Sequence, residues 1–255
     1  MAGQAEDRGL SVVLAPAKLT LSLRVTGVRA DGYHLLDVEM VSLDLADELT
    51  FSDGRGLEVV DARPGADVSS IPAPAVVPAG DDNLVLRALR AVGRDAHVRL
   101  VKRIPAGGGL GGGSADAAAV LRWAGYDDVA LAARLGADVP FCLRGGRARV
   151  SGIGDELDPL PYVERTFTLA TPPFGCSTAA VYRAWDALGG PTAAGPNDLE
   201  PAALGVEPGL ARWRDRLGEA TGQTPVLAGS GSTWYVEGAY PGAGRVVART
   251  VPAYG

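Results

Sequence analysis

Histidine and cysteine are scarce in this chain of 255 residues, which has two of each: His34, His97, Cys142 and Cys176. The cysteines form no C-x-x-C pair, so the sequence gives no indication of a zinc site. A Ser-His-Asp hydrolase is not indicated either, because no G-x-S-x-G nucleophile motif occurs. We expect both thiols to be unpaired and buried, as is usual in a reducing compartment.

An excess of positive charge and long apolar runs are also missing. Asp and Glu number 30 against 24 Lys and Arg, which gives a net charge of −6. Nucleic-acid binding requires a basic face, and no apolar run approaches the roughly 20 residues of a membrane span. Residues 1–8 lack the apolar core of a signal peptide. We therefore expect a cytoplasmic protein that binds neither nucleic acid nor a membrane. For its oligomeric state we expect a monomer or a homodimer.

Glycine, by contrast, is abundant, and six of the 35 glycines fall within residues 107–113. An alternating segment, 97–102, precedes this run and predicts a strand. An alanine-rich segment, 117–124, follows and predicts a helix. A glycine-rich turn between a strand and a helix start directs backbone N–H groups toward an anion. We interpret residues 107–114 as a phosphate-binding loop.

This loop matches neither of two common nucleotide-binding motifs. No Gly-Lys-Ser/Thr follows at the spacing of a Walker A loop, and no βαβ unit surrounds it as in a Rossmann fold. A flexible linker is the remaining alternative, but linkers are mostly polar Gly/Ser mixtures. The apolar Leu110 in the middle of the run favours a loop anchored in a fold.

Two further stretches place polar side chains together. Residues 11–25 alternate and predict a half-buried strand in which Lys18 and Thr20 share one face. An Asp-Gly turn precedes Tyr33 and His34. An aromatic ring beside a hydrogen-bonding side chain suits a planar heterocycle, through stacking and edge hydrogen bonds. A solvated lysine and a packed structural histidine are the alternatives.

The remaining pattern is mixed. We expect strands on both sides of a break near 44–47, a helix over 84–92 with Asn83 in its cap, and alternating strands and helices after residue 153. Asp138 stands just before a proline at a predicted helix start, where capping is the ordinary role.

Three motifs together resemble the superfamily of galactokinase, homoserine kinase, mevalonate kinase and phosphomevalonate kinase (GHMP kinases). They are residues 16–18, 105–114 and 229–233. The resemblance implies an α+β, two-domain GHMP kinase fold. A ribosomal-protein-like ATP-binding domain would span 1–152, and a ferredoxin-like α/β-sandwich domain would span 153–255. The active site would lie in the cleft between them.

Within this superfamily, residues 31–36, 43–51, 136–141 and 197–200 resemble the branch that phosphorylates a cytidine-diphosphate-linked sugar alcohol of isoprenoid precursor biosynthesis. The resemblance implies transfer of the ATP γ-phosphate to an acceptor hydroxyl, with Mg²⁺ as the metal. Asp138 would orient that hydroxyl and take its proton, and Lys18 would stabilise the developing charge.

The resemblance also implies binding roles. Nucleotide contacts are expected from Pro105, Gly107, Gly108, Gly109, Leu110, Gly111, Gly112, Gly113, Ser114, Lys102, Asn83 and Asp116, and Ser114 is also a candidate Mg²⁺ ligand. Acceptor contacts are expected from Thr20, from Tyr33 stacked on cytosine, from His34 at the base edge, and from Tyr182, Gly231, Ser232 and Thr233. Tyr182 has a core role as its alternative, and residues 229–233 have support of the phosphate loop as theirs.

The chain departs from the family pattern at Thr20, where asparagine is usual, and at Ala115, where a second serine is common. Two other functions therefore stay open: a GHMP kinase for another alcohol such as homoserine or mevalonate, and a binding module, either a nucleotide-binding pseudokinase or an RNA-binding fold. Tyr33 and His34 favour an acceptor that carries a base. The retained Lys18 and Asp138 argue against a pseudokinase.

Overall fold

A computed structural model describes residues 10–63, 80 and 82–254 of the chain. Residues 1–8, in which we found no apolar core of a signal peptide, lie outside this range. The described elements in chain order are β1 (Ser11–Val28), β2 (His34–Ser52), β3 (Gly56–Asp61), α1 (Leu84–Ala91), β4 (His97–Lys102), α2 (Gly112–Trp123), α3 (Val129–Leu135), α4 (Val139–Arg144), β5 (Arg147–Gly152), β6 (Glu156–Pro159), β7 (Thr166–Ala170), α5 (Thr178–Ala187), α6 (Glu200–Val206), α7 (Gly209–Thr221), β8 (Val226–Leu227), β9 (Trp234–Glu237) and β10 (Val246–Arg249). None of the helices in this part of the chain has the length and apolar character needed to span a bilayer.

The first sheet is built around the long strand β2. One edge of β2 pairs with β1, and the other pairs with β4 near its end and with β5 near its start. The full order is β3-β4-β2-β5-β6 with β1 on β2, and only β3 and β4 run parallel. Helix α2 packs on this sheet, and the rings of Phe51 and Trp123 stack 4.4 Å apart. Apolar side chains from α2, β1 and β2 thus form one core.

The predicted break near 44–47 is wrong, because β2 is continuous through these residues. The irregularity appears as a register shift instead. Between Pro16 and Lys18, β1 advances two residues while the paired positions on β2 move from Ala46 to Ser42. Such bulges re-aim side chains beside functional sites, and this one lies directly before Lys18.

The second sheet contains β10-β7-β9-β8, all antiparallel. With α5, α6 and α7 between β7 and β8, the order of elements is that of a ferredoxin-like fold in which a loop replaces the second helix. The predicted two-domain α+β class is confirmed. The predicted boundary at 152/153 lies between β5 and β6, which pair in the first sheet, and the second sheet begins at Thr166. The change of sheet therefore falls between 159 and 166.

Helix starts agree with the sequence where a side chain caps the helix. Asn83 accepts from the Val85 N–H at 2.8 Å, as expected for a cap of α1. Helix α2 begins at Gly112, five residues before the alanine-rich segment. It starts there because Gly111 adopts a left-handed conformation with φ of 69° and its carbonyl accepts from Ala115 at 2.8 Å. The glycine run therefore supplies the first turn of the helix.

Candidate active site

A cavity of about 820 Å³ opens between the two sheets and their helices. Both domains line it: the first through β1, the 32–34 turn, the glycine-rich loop and Asp138, and the second through α5 and Gly229–Ser230. It brings together most of the residues proposed from the sequence, namely Lys18, Thr20, Tyr33, His34, Asn83, Lys102, Pro105, Gly107, Gly108, Gly109, Leu110, Gly111, Gly112, Gly113, Ser114, Asp116, Asp138 and Tyr182.

The loop 107–113 is pressed against its surroundings at two glycines. Gly109 has φ of +76°, and a Cβ there would lie 2.2 Å from the carbonyl oxygen of Ala228. Gly111 has φ of +69°, and a Cβ there would lie 2.7 Å from Cγ of Lys18. Between them Leu110 is buried in the core, and its carbonyl accepts from the Lys18 N–H at 3.0 Å. The loop is anchored, which agrees with a binding loop and not with a linker.

Replacing Gly109 by alanine is expected to raise the KM for ATP at least about tenfold, because the methyl group overlaps a backbone oxygen and forces the loop away from Ala228. Gly125 is the matched control, since it also has positive φ (+77°) but a Cβ there meets no atom within 4 Å. Steady-state kinetics at varied ATP test this. Equal KM values for Gly109→Ala and Gly125→Ala would contradict it.

The third motif lies behind the loop. The Thr233 N–H donates to the Gly108 carbonyl at 3.1 Å, and the Thr233 and Thr171 hydroxyls are 2.9 Å apart. The Ser232 hydroxyl donates to the Phe174 carbonyl at 2.6 Å. Both Ser232 and Thr233 are fully buried and, with Gly231, do not line the cavity. Of the two roles open for these residues, their placement agrees with support of the loop, not with contact to an acceptor.

Lys18 and Asp138 lie close together in the cavity lining. Lys18 Nζ lies 3.4 Å from Asp138 Oδ2 and donates to the Thr20 hydroxyl at 3.2 Å. Lys18 is almost completely buried, whereas the Asp138 side chain is 33% exposed. Asp138 precedes α4 but its carboxylate makes no capping hydrogen bond. The capping role considered for Asp138 is therefore wrong, and its carboxylate is available to the cavity.

Lys102 occupies a second charged cluster at the start of α2. Its ammonium donates to Asp47 and, at 2.6 Å, to Asp116. All three side chains are at least 95% buried. The second oxygen of Asp47 accepts from the Arg103 and Ile104 N–H groups at 2.5 and 2.8 Å. Asp47 thus fixes the chain where it enters the loop, a role that we did not predict. The sequence gives no signal that separates Asp47 from the other acidic residues of β2, which are Asp37, Glu39, Asp44 and Glu48.

The two carboxylates share one cation, and this affects protonation. Burial raises the pKa of Asp116 to about 7, with Asp47 adding to the rise and Lys102 opposing it. Burial acts to lower the pKa of Lys102, but the charges of Asp116 and Asp47 outweigh it and raise that pKa. Asp116 Oδ1 is buried without a hydrogen-bond partner in the described chain, and Asp116 lines the cavity.

Lys18 and Lys102 are the only two lysines in the sequence, and every other basic residue is an arginine. Both are buried beside the loop. A lysine ammonium is a compact charge, whereas a guanidinium is a wide planar fork. Replacement of either lysine by arginine is therefore not conservative at these two positions.

Aromatic residues form another part of the cavity lining. Ring centroids of His34 and Tyr182 are 4.6 Å apart, and those of His34 and Trp185 are 5.6 Å apart, edge to face. His34 Nε2 lies 2.8 Å from Asp186 Oδ1. Tyr33, also on the cavity wall, is mostly exposed. Burial, with a smaller effect from the Asp138 charge, raises the pKa of Tyr182, which therefore stays a neutral phenol.

Comparison with known proteins agrees with this arrangement. Residues 83–146 match the GHMP kinases N terminal domain. The chain is 41% identical to a 4-diphosphocytidyl-2-C-methyl-D-erythritol kinase of Paracoccus denitrificans over 87% of this chain and 84% of the relative. It is 39% identical to one of Pelotomaculum thermopropionicum over 86% of each chain.

Solved structures give the same result. A crystal structure of 4-(cytidine 5'-diphospho)-2C-methyl-D-erythritol kinase matches with a TM-score of 0.66 and 34% identity, over 88% of this chain and 89% of that chain. A homoserine kinase from Cytophaga hutchinsonii, 17% identical with a TM-score of 0.54 over 99% of this chain and 97% of that chain, shares the fold. The fold and the loop define a kinase of the GHMP class. Within that class, the chain belongs to the 4-diphosphocytidyl-2-C-methyl-D-erythritol kinase family.

Proposed function

We propose that this protein transfers the γ-phosphate of ATP to the 2-hydroxyl of 4-(cytidine 5'-diphospho)-2-C-methyl-D-erythritol, a step toward isoprenoid precursors. The observation that carries this proposal is the Lys18–Asp138 pair at 3.4 Å. It lines one cavity together with a phosphate loop and with an aromatic cluster. The loop suits a nucleoside triphosphate, the aromatic cluster suits a base-bearing acceptor, and the two reacting groups would meet at the pair.

Phosphoryl transfer depends mainly on positioning and on neutralising charge. Backbone N–H groups of residues 107–114 and the start of α2 would hold the phosphates. Lys18, fixed by the Thr20 hydroxyl and the Leu110 carbonyl, would stabilise charge on the transferring group. The Thr20 hydroxyl accepts from the Lys18 ammonium, so we assign Thr20 to positioning Lys18.

Mg²⁺ fits this site as an ion carried by the nucleotide. Among the described residues no group of three or more His, Cys, Asp or Glu side chains forms a metal cage. Mg²⁺ needs only one or two protein oxygens when phosphates supply others. The candidates are the Ser114 hydroxyl and Asp116, which lines the cavity and whose buried Oδ1 has no hydrogen-bond partner among the described residues. When bound, the ion would neutralise phosphate charge.

On the acceptor side, Asp138 would orient the hydroxyl and receive its proton as the new bond to phosphorus forms. Tyr33 and Tyr182 would flank the cytosine ring, and His34 would form hydrogen bonds with its edge.

Three lysine or arginine side chains line the cavity. Lys18 and Lys102 already pair with carboxylates, whereas Arg183 forms no ion pair within the described range. We therefore assign the acceptor's diphosphate to Arg183.

Purified protein is expected to release ADP from ATP and Mg²⁺ with the cytidylated acceptor, and at rates at least about a hundredfold lower with homoserine or mevalonate. Those alcohols carry no base for the aromatic cluster of the cavity. Coupled ADP detection with each acceptor at equal concentration measures this. Preferred turnover of homoserine or mevalonate would overturn the assigned substrate within the same fold, and ATP binding without turnover of any acceptor would overturn the catalytic roles.

A further inference from the structure

One face of α5 reaches across the cleft to the other domain. Thr178, Tyr182 and Asp186 follow one another at four-residue spacing, which places them on the same side of a helix, and all three line the cavity. Opposite them lies His34, the first residue of β2. Tyr182 and Trp185 contact its ring, and Asp186 holds one of its nitrogens. The imidazole is thus fixed from three sides.

The contact with Asp186 determines which ring nitrogen of His34 carries the proton. An ionised carboxylate only accepts hydrogen bonds, so His34 Nε2 carries the proton in the 2.8 Å contact with Asp186 Oδ1. In a neutral imidazole the other nitrogen, Nδ1, is then an acceptor. No residue of the described ranges forms a hydrogen bond with Nδ1. His34 lines the cavity, and in its neutral form Nδ1 would be an acceptor without a partner among the described residues.

Cytosine and uracil differ at the position that such an acceptor reads. Cytosine presents an exocyclic amino group, a donor, where uracil presents a carbonyl oxygen, an acceptor. A nitrogen acceptor can accept a hydrogen bond from the amino group of cytosine. The same nitrogen would face a lone pair on the carbonyl oxygen of uracil. A donor in the same place would favour uracil.

We propose that Asp186 is a specificity-determining positioning residue, which holds the proton of His34 on Nε2 so that Nδ1 accepts from the amino group of cytosine and disfavours uracil. This inference rests on the proposed function. Asp186 does not touch the reacting hydroxyl; it acts on the base through His34. Because the Asp186 side chain is 47% exposed, its removal should not disturb the core.

The kinetic test compares kcat/KM for the cytidine acceptor and its uridine analogue. Wild-type protein should prefer the cytidine acceptor, and Asp186→Ala should reduce that preference at least about tenfold. The loss should appear mainly in KM, because the Lys18–Asp138 pair is unchanged. Asp215→Ala is the matched control, since Asp215 is an exposed helical aspartate paired with Arg214 and does not line the cavity.

An equal loss with both acceptors would overturn the proposal and show that the His34–Asp186 contact only joins the domains. No turnover by the wild type with either acceptor would instead contradict the proposed function.

The second test needs no substrate. The chain has only two histidines, so ring ¹⁵N resonances of His34 can be assigned by comparison with His97→Gln. At neutral pH the spectrum should show a proton on Nε2 and a lone pair on Nδ1 of His34. A protonated Nδ1, alone or in an imidazolium, would overturn the proposal even if catalysis had never been measured.

Discussion

Asp138→Asn is expected to lower kcat about a thousandfold while leaving the KM for ATP near the wild-type value. Asparagine keeps the size and one accepting oxygen of aspartate, so it can still orient the acceptor hydroxyl beside Lys18. It cannot take the proton that must leave as the phosphoryl group arrives. The glycine-rich loop does not depend on Asp138, which explains why ATP binding should persist. Steady-state ADP release gives kcat, and ATP titration in the absence of acceptor gives nucleotide affinity.

Asp128 provides the contrasting variant, because it also precedes a helix but has the opposite role. Its carboxylate accepts from the Ala130 and Leu131 N–H groups at 2.8 and 3.1 Å and caps α3. Asp128→Ala should therefore lower the free energy of unfolding by about 1 kcal/mol with kcat unchanged. Asp138→Asn should show the reverse pattern, a lost rate without the loss of a helix cap. If Asp138→Asn keeps more than a tenth of kcat, the assignment of proton transfer to Asp138 fails.

The sequence predicted those parts of the site that depend on local chemistry. Residues 107–113 combine glycines with one apolar anchor, and the structure shows both the close approach at Gly109 and the burial of Leu110. Tyr33 and His34 are neighbours in the chain and lie on the same cavity wall. Each of these features depends on one local property: positive φ at Gly109, burial of Leu110, or adjacency of Tyr33 and His34. A few neighbouring residues in the sequence determine each property.

Features that depend on distant residues were missed or placed wrongly. Asp47 meets Lys102 because β2 pairs with β4, and this register is set by two apolar strand faces, not by the charges themselves. Asp186 is 152 positions from His34 and belongs to the other domain. Local propensity likewise placed the start of α2 too late, since it penalises glycine without regard to the left-handed turn at Gly111.

Lys102→Met is expected to lower the free energy of unfolding by about 3–5 kcal/mol at pH 8, because it leaves buried carboxylates without their cation. Asp47 keeps two backbone donors, whereas Asp116 loses its only hydrogen-bond donor among the described residues. Arg103→Met is the control at the next residue. Its partly exposed pair with Glu48, at 3.4 Å, should contribute less than about 1 kcal/mol. Chemical denaturation of both variants measures the difference.

The pH dependence of the stability loss in Lys102→Met shows whether an unpaired carboxylate causes that loss. A carboxyl whose pKa is raised by folding binds a proton more readily in the folded chain, so its contribution to stability is present in acid and is lost as pH rises through the folded pKa. In the wild type this loss runs from near the ordinary value of 3.8 up to about 7 for Asp116. Lys102 acts to lower that pKa, so Lys102→Met should move the window upward. The cost of the substitution should therefore be smaller at pH 5 than at pH 8.

A double variant separates charge from packing. If the cost comes from an unpaired carboxylate, Asp116→Asn should restore part of the stability of Lys102→Met, since neighbouring substitutions that share one interaction do not add. If it comes from altered packing around the lysine stem, the double variant should be less stable than the single one, and the cost should be equal at pH 5 and pH 8. Because Asp47 also holds the N–H groups of Arg103 and Ile104, the first outcome would connect this buried charge balance to the stability of the segment that leads into the phosphate loop.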